Sequence, residues 1–275
     1  MNTTSGKPIG IFDSGIGGLT VFAQIQKLLP LENLIYLGDT ARVPYGTKSQ
    51  STIERFALED AHFLLQHDVK LIIAACNTVS ALAMPHLKSH IHVPLLGVIE
   101  PAVLKACDTT NTGRIGVIGT RATVESRAYE KAFSLLSPSA NIFSAACPLF
   151  VNLVEENWMD EKETFSIAEK YLRPLKDRNI DTLILGCTHY PLLETVIQKI
   201  MGDTVRLIDS ASSTALTLKK ILAEENLTGT QYTGAHQFFV TDEPERFQNA
   251  GEKFLGKHIP KVQKAALEIE ERTFP

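Results

Sequence analysis

Leu71-Ile-Ile-Ala-Ala-Cys76-Asn77-Thr78 and Thr182-Leu-Ile-Leu-Gly-Cys187-Thr188-His189 read as two versions of one phrase. Each is a short, continuous apolar run that ends on a cysteine and turns at once into polar residues. Continuous rather than alternating apolarity suits a strand buried on both faces. A second pair of phrases lies upstream: Pro8-Ile-Gly-Ile-Phe-Asp13-Ser14 and Arg114-Ile-Gly-Val-Ile-Gly-Thr120. A third landmark follows each cysteine, a strand-like run with an acidic end, Glu100 in one half and Asp209 in the other. Hydrophobic strands all look somewhat alike, but three landmarks in the same order make an internal duplication the better account.

Working outward from these phrases, strands are predicted over residues 9–12, 34–37, 71–75, 95–99, 115–118, 183–185 and 205–208. Amphipathic helices are predicted between them, among others over 52–66, 125–136, 161–176 and 213–225. Strands alternating with helices imply right-handed βαβ units and an α/β fold with a mainly parallel sheet in each of two domains. After Asn226 a polar stretch runs to Gly234, then Gln237–Val240 reads as a strand and Pro244–Leu255 as a helix with proline in its first turn. That tail is too short for a core of its own. The expected division is therefore 1–98 with 210–275 as one domain, and 99–209 as the other. Open α/β sheets place ligands at the carboxyl ends of their strands. Two such domains related by a pseudo-twofold would aim Cys76 and Cys187 into one shared cleft.

The length, 275 residues, fits roughly two domains at about 150 residues each. With 44% hydrophobic and 21% charged residues, wholesale disorder is excluded. The longest apolar run, 71–76, is far short of the about 20 residues a membrane-spanning helix needs. Met1 to Pro8 holds one lysine and no apolar segment, so no signal peptide is expected. A net charge of −4 without any Lys/Arg block argues against general nucleic-acid binding. The 4 cysteines include no CxxC pair, which indicates neither a zinc site nor a thioredoxin-type motif. They are expected as reduced thiols in a cytoplasmic protein.

Cys76 and Cys187 each end a strand and precede Asn/Thr residues that read as a helix N-cap. A helix N-terminus favours a thiolate, and would bring a thiol that ordinarily titrates near 8.5 toward neutrality, where it can give or take a proton. Cys107 and Cys147 lack matched positions and are read as buried packing residues. Asp13-Ser14-Gly15-Ile-Gly17-Gly18 follows the first strand, fits neither GxGxxG nor a P-loop, and offers N–H groups for a carboxylate and Asp13 for an ammonium. A plain glycine-rich turn capped by Asp13 is the rival reading. The loop Gly38 to Pro44-Tyr45-Gly46 offers an aromatic hydroxyl and a close backbone, in what by itself is a structural turn. His189 is near enough to Cys187 to exchange a proton with it or with a ligand. His62, His67, His86, His90 and His92 are scattered without metal-ligand pairing, and no metal is expected. Glu155 closes the apolar stretch from Pro148 to Val154, and its spacing alone assigns it nothing.

The quoted motifs, Asp13-Ser14-Gly15, Gly38-Asp39-Thr40 through Pro44-Tyr45-Gly46, Cys76-Asn77-Thr78 and Cys187-Thr188-His189, resemble the signature of the glutamate racemase family over about Ile9 to Leu267. The resemblance implies a cofactor-independent amino-acid racemase that supplies D-glutamate for peptidoglycan, with glutamate as its small-molecule ligand and a homodimeric assembly. It implies Cys76 and Cys187 as the two acid/bases, Cys76 for D-glutamate and Cys187 for L-glutamate. Asp13 is implied as the partner of Cys76, His189 as that of Cys187, and Glu155 as an auxiliary group. Asp13, Ser14, Tyr45, Gly46, Asn77, Thr78, Thr188 and His189 are implied as substrate contacts. Asn152 departs from the proline that many relatives carry before Leu-Val-Glu. The chain begins 8 residues before its first strand, so the cell-wall precursor that activates relatives with longer N-termini is not expected here. Two rivals stand beside this reading: an aspartate or hydantoin racemase of the same fold, and a non-enzymatic amino-acid binding protein.

Overall fold

The computed structural model describes residues 4–230 and 236–267. The first half runs β1 (Ile9–Asp13), α1 (Leu19–Leu28), β2 (Leu34–Gly38), α2 (Gln50–Leu65), β3 (Leu71–Ala74), α3 (Asn77–Leu82), α4 (Met84–His90) and β4 (Leu95–Gly97). Then follow α5 (Ile99–Thr109), β5 (Arg114–Gly119), α6 (Arg121–Glu125), α7 (Ala128–Leu136), β6 (Asn141–Ala146), α8 (Leu149–Glu155), α9 (Lys162–Lys176), β7 (Thr182–Gly186), α10 (Glu194–Met201) and β8 (Arg206–Asp209). The chain closes with α11 (Ser210–Glu224), β9 (Gln237–Val240), α12 (Pro244–Leu255) and β10 (Val262–Lys264).

Two sheets result. One has the order β10-β9-β2-β1-β3-β4 and the other β6-β5-β7-β8. Every strand pair in both is parallel. Counted within its own half, the run β2-β1-β3-β4 repeats as β6-β5-β7-β8, so the two halves share one topology. The strand order reverses between β1 and β3 in one sheet and between β5 and β7 in the other, and such switch points are where open sheets leave a crevice. Asp13 and Cys76 therefore flank one switch point, and Thr120 and Cys187 the other.

Both sheets are covered on both faces, which is why their strands read as unbroken apolar runs. Ile9 and Ile11 pack with α1 and α11 through Val21, Phe22, Ala215 and Leu218. Their neighbour Phe12 points to the opposite face, among Ile53, Ala57 and Leu64 of α2. In the second sheet Val117 and Ile184 face α5 and α7, while Ile118, Leu183 and Leu185 face α8, α9 and α10. Each fully buried aliphatic side chain contributes about 1.5–3 kcal/mol. Among the described residues no helix is long and apolar enough to cross a membrane.

Four local expectations need correction. The run 95–99 stops as a strand at Gly97, and Glu100 lies in the first turn of α5 rather than at a strand end. The helix expected over 125–136 is broken at Arg127, which takes a left-handed conformation (φ 55) between α6 and α7. β6 went unforeseen because it is a half-exposed edge strand, and β10 because it is three residues long. Cys107 is only partly buried on α5, unlike Cys147, which is fully enclosed. The polar stretch after Asn226 lies partly outside the described residues.

Candidate active site

One narrow cavity between the carboxyl ends of the two sheets is lined by Ser14, Val43, Pro44, Tyr45, Gly46, Cys76, Asn77, Thr78, Thr120, Val151, Cys187, Thr188 and His189. About 30 Å³ of it is open to the centres of water-sized molecules, room for two waters or so.

On the first sheet's side, Asp13 ends β1 and is completely buried. Its Oδ2 accepts the Gly15 N–H at 3.0 Å, and Tyr36 donates to the Gly15 carbonyl at 2.7 Å, which pins the loop from below. Asp13 Oδ1 is buried and accepts no well-formed hydrogen bond among the described residues. Burial raises the Asp13 carboxyl above the usual carboxylate range, opposed by the charge of His189 and by the Gly15 and Gly18 N–H groups. Such a group gains most from a cation brought beside it.

Cys76 caps α3, with its Sγ 3.7 Å from Ser14 Oγ. The expected titration near neutrality does not hold. Burial pushes the thiol up to about 12, the charge of Asp13 adds to this, and the Val79 N–H and Ser14 hydroxyl offset only part of it. Desolvation of a sulfur anion outweighs one helix terminus. At rest Cys76 is a thiol.

Cys187 is built differently. No α-helix starts at its heels: a turn and the short 3₁₀ segment Tyr190–Leu193 intervene before α10. Its electrostatics come from side chains. His189 Nδ1 lies 3.9 Å from Cys187 Sγ, and His189 Nε2 lies 3.1 Å from Glu155 Oε1 at the end of α8. Burial would lower the imidazole, yet the hydrogen bonds to Cys187 and Glu155 outweigh it and raise His189 to about 10. His189 is an imidazolium at neutral pH, a buried cation held against a sulfur.

The remaining predicted residues fall on the same cavity, with one difference in what they present. Tyr45 lines it, but its hydroxyl is bound by Asp39 and, at 3.1 Å, by Asp60. Arg42 pairs with the same two carboxylates at 2.6 and 3.2 Å, and with Glu59. Tyr45 and Gly46 are therefore left with backbone to offer. Thr78 Oγ1 meets Thr120 Oγ1 across the cleft at 3.1 Å, and Thr120 meets Thr123 at 2.9 Å. Asn77 Oδ1 accepts from Tyr129 at 2.8 Å, while its Nδ2 is buried without a hydrogen-bond partner among the described residues. Gly17 is needed for closeness: a Cβ there would sit 2.2 Å from Thr188 Oγ1 and 2.6 Å from His189 Nδ1.

Thr120 and Tyr129 went unnoticed in the sequence as site residues. A signal for Thr120 existed, because the repeat sets it opposite Ser14. None existed for Tyr129, which reaches Asn77 from the other half of the chain. A second depression, lined by Leu149, Asn152, Leu153, Glu156, Trp158 and Ile167, is apolar and holds none of the predicted residues.

The chain carries two thiols at equivalent strand ends of a duplicated α/β fold, both lining one cavity. It belongs to the Asp/Glu/Hydantoin racemase family, which matches residues 17–218. It is 49% identical to the glutamate racemase of Geobacter metallireducens over 265 residues, 96% of this chain and 98% of the relative. Among solved structures, a glutamate racemase isoform of Bacillus anthracis superposes with a TM-score of 0.94 at 39% identity, covering 97% of this chain and 100% of that one. The Francisella tularensis glutamate racemase in complex with D-glutamate gives 0.89 at 40% identity, covering 96% and 99%.

Proposed function

We propose that this protein interconverts L- and D-glutamate by moving the α-proton between Cys76 and Cys187. The observation that carries the proposal is that these two thiols, equivalent in the duplication, line one cavity from opposite sheets with different acid–base partners. In the L-to-D direction the Cys187 thiolate takes the α-proton, the C–H electron pair stays on carbon, and the Cys76 thiol protonates the other face. In the D-to-L direction the roles exchange. The His189 imidazolium neutralises the negative charge on Cys187, and Glu155 holds the ring in place. Cys76 starts as a thiol, suited to act as the acid. A substrate ammonium beside Asp13 counters the Asp13 charge, one of the influences that hold the Cys76 titration high, and so makes Cys76 available as a base. The carbanion is helped by donors oriented in advance toward the carboxylate: the Asn77 amide, the Thr78, Thr120 and Thr188 hydroxyls, and the Tyr45–Gly46 backbone. Ser14 steadies the Cys76 sulfur.

In this reading 1–98 with 210–275 forms one domain and 99–209 the other, and the chain crosses before α5 and before α11. What supports it is that β9 and β10 join the first sheet and that α11 packs against β1. The product would feed peptidoglycan synthesis in the cytoplasm, and the chain is expected to form a homodimer, which sedimentation checks.

The test of function is pure protein with L-glutamate in deuterated water without added cofactor. Appearance of D-glutamate carrying α-deuterium is the expected outcome. Return of unlabelled L-glutamate would sink the proposal, and labelling of aspartate but not glutamate would reassign the substrate.

A further inference from the structure

We infer that Tyr129 is a positioning residue for this reaction, its hydroxyl locking the Asn77 carboxamide so that Nδ2 faces the substrate; the inference rests on the racemase reading above. Asn77 immediately follows Cys76, is 2% exposed, and lines the cavity. A carboxamide has a donor end and an acceptor end of nearly equal shape, so something must decide which end faces the ligand. Here the Tyr129 hydroxyl donates to Oδ1 at 2.8 Å. The donor end is then left buried with no hydrogen-bond partner among the described residues. A buried amide donor without a partner costs about 1–3 kcal/mol, a cost relieved when a carboxylate arrives.

Tyr129 comes from α7, in the half that carries Cys187, whereas Asn77 opens α3 in the half that carries Cys76. The hydrogen bond therefore spans the joint between the halves. Its ring is seated on Gly186, the residue before Cys187: a Cβ there would lie 3.1 Å from Tyr129 Cε2 and 2.6 Å from the Ile118 carbonyl. Its other polar neighbour is Ser210, the first residue of α11, where the chain passes back toward the first sheet. One phenol thus touches the residue after one catalytic sulfur, the residue before the other, and the crossover between the halves. Burial raises the phenol above its ordinary range and keeps it protonated, so it directs a hydrogen bond and transfers no proton.

Tyr129→Phe removes one oxygen and leaves the ring on Gly186. The expected result is a KM for glutamate raised about tenfold with kcat within about threefold, the worth of one well-aimed hydrogen bond. The pH profile should not move. In an Asn77→Ala background the same change should alter kcat/KM by less than about twofold, since the proposed route through the Asn77 carboxamide is gone. A Tyr129→Phe enzyme within twofold of the parent, or effects that multiply in the double variant, would overturn the inference. Should Tyr129→Phe fail to fold, the parent protein labelled with ¹⁵N-asparagine carries the test: the Asn77 side-chain NH₂ resonances must shift on addition of glutamate, and no shift overturns it. A parent protein that does not exchange the α-hydrogen of glutamate refutes the function itself and this inference with it; an active parent with an indifferent Tyr129→Phe refutes only this one.

Discussion

Replacing Gly17 by alanine probes how tightly the β1–α1 loop must lie against the Cys187 side of the cleft. A Cβ at this position would stand 2.2 Å from Thr188 Oγ1, 2.6 Å from His189 Nδ1 and 2.7 Å from His189 Cε1. Non-bonded carbon contacts are comfortable from about 3.5 Å, so the Thr188–His189 turn has to withdraw by about 1 Å. Gly17 is not among the residues of positive φ, so alanine suits its backbone and the penalty is steric alone. The withdrawal is aimed at a marginal contact. His189 Nδ1 is already 3.9 Å from Cys187 Sγ, and the ring is tethered at its far side to Glu155 at 3.1 Å. Misplacing a catalytic group by about 1 Å costs on the order of 100-fold in rate, and overpacking costs about 1–3 kcal/mol of stability. We expect Gly17→Ala to fold, to melt earlier, and to lose about two decades in kcat/KM. The assay is α-hydrogen exchange followed by proton NMR in deuterated water from each enantiomer. The equilibrium constant between enantiomers is unity, so kcat/KM must fall equally in both directions. Side-specificity is instead read from one-way elimination of a substrate analogue that carries a leaving group: the L-analogue, served by Cys187, should suffer more than the D-analogue. Activity within about threefold of the parent, or equal loss for both analogues, would refute the assignment of His189 to the Cys187 face.

Cys76→Ser and Cys187→Ser should each abolish net racemisation, because a serine hydroxyl titrates far from neutrality. With the elimination analogue, which needs only a base, Cys76→Ser should still process the L-form and Cys187→Ser the D-form; equal loss of both forms in both variants would show that the thiols do not serve separate faces. His189 supplies a pH signature of stability. Its folded-state value of about 10 lies above the ordinary imidazole value of about 6.5, so its contribution is complete below about pH 6.5 and is lost as pH rises toward 10. Urea midpoints measured across that window should fall more steeply for the parent than for His189→Gln, and parallel curves would exclude a raised His189.

How much of this was legible in the chain can be traced residue by residue. The apolar runs ending at Cys76 and Cys187 are continuous because helices cover both faces of both sheets, and continuity is visible in sequence. The likeness of the two phrases also placed the cysteines at equivalent strand ends, and the α/β class follows from the alternation of strand and helix. The edge strand β6 is the reverse case: it is half exposed, so its composition carries no strong apolar signal. Thr120 was legible in principle, as the counterpart of Ser14.

Other properties exist only once distant segments meet. Glu155 has no distinguishing neighbour in sequence and gains its position when α8 brings it to His189, 34 residues away. Tyr129 and Asn77 are 52 residues apart and belong to different halves. The titration of Cys76 is not set by local sequence, because the helix terminus is a local feature and desolvation is not: the enclosing residues come from both sheets, and their combined effect exceeds the local one. The Tyr45 hydroxyl looked available until the fold gave it to Asp39 and Asp60. Periodicity and composition report which faces are apolar and where strands end, and so they determine the architecture and the addresses of the reactive groups. Hydrogen-bond direction and desolvation depend on the sum of short-range contacts among residues far apart in the chain, and so only the tertiary structure decides which proton each group holds.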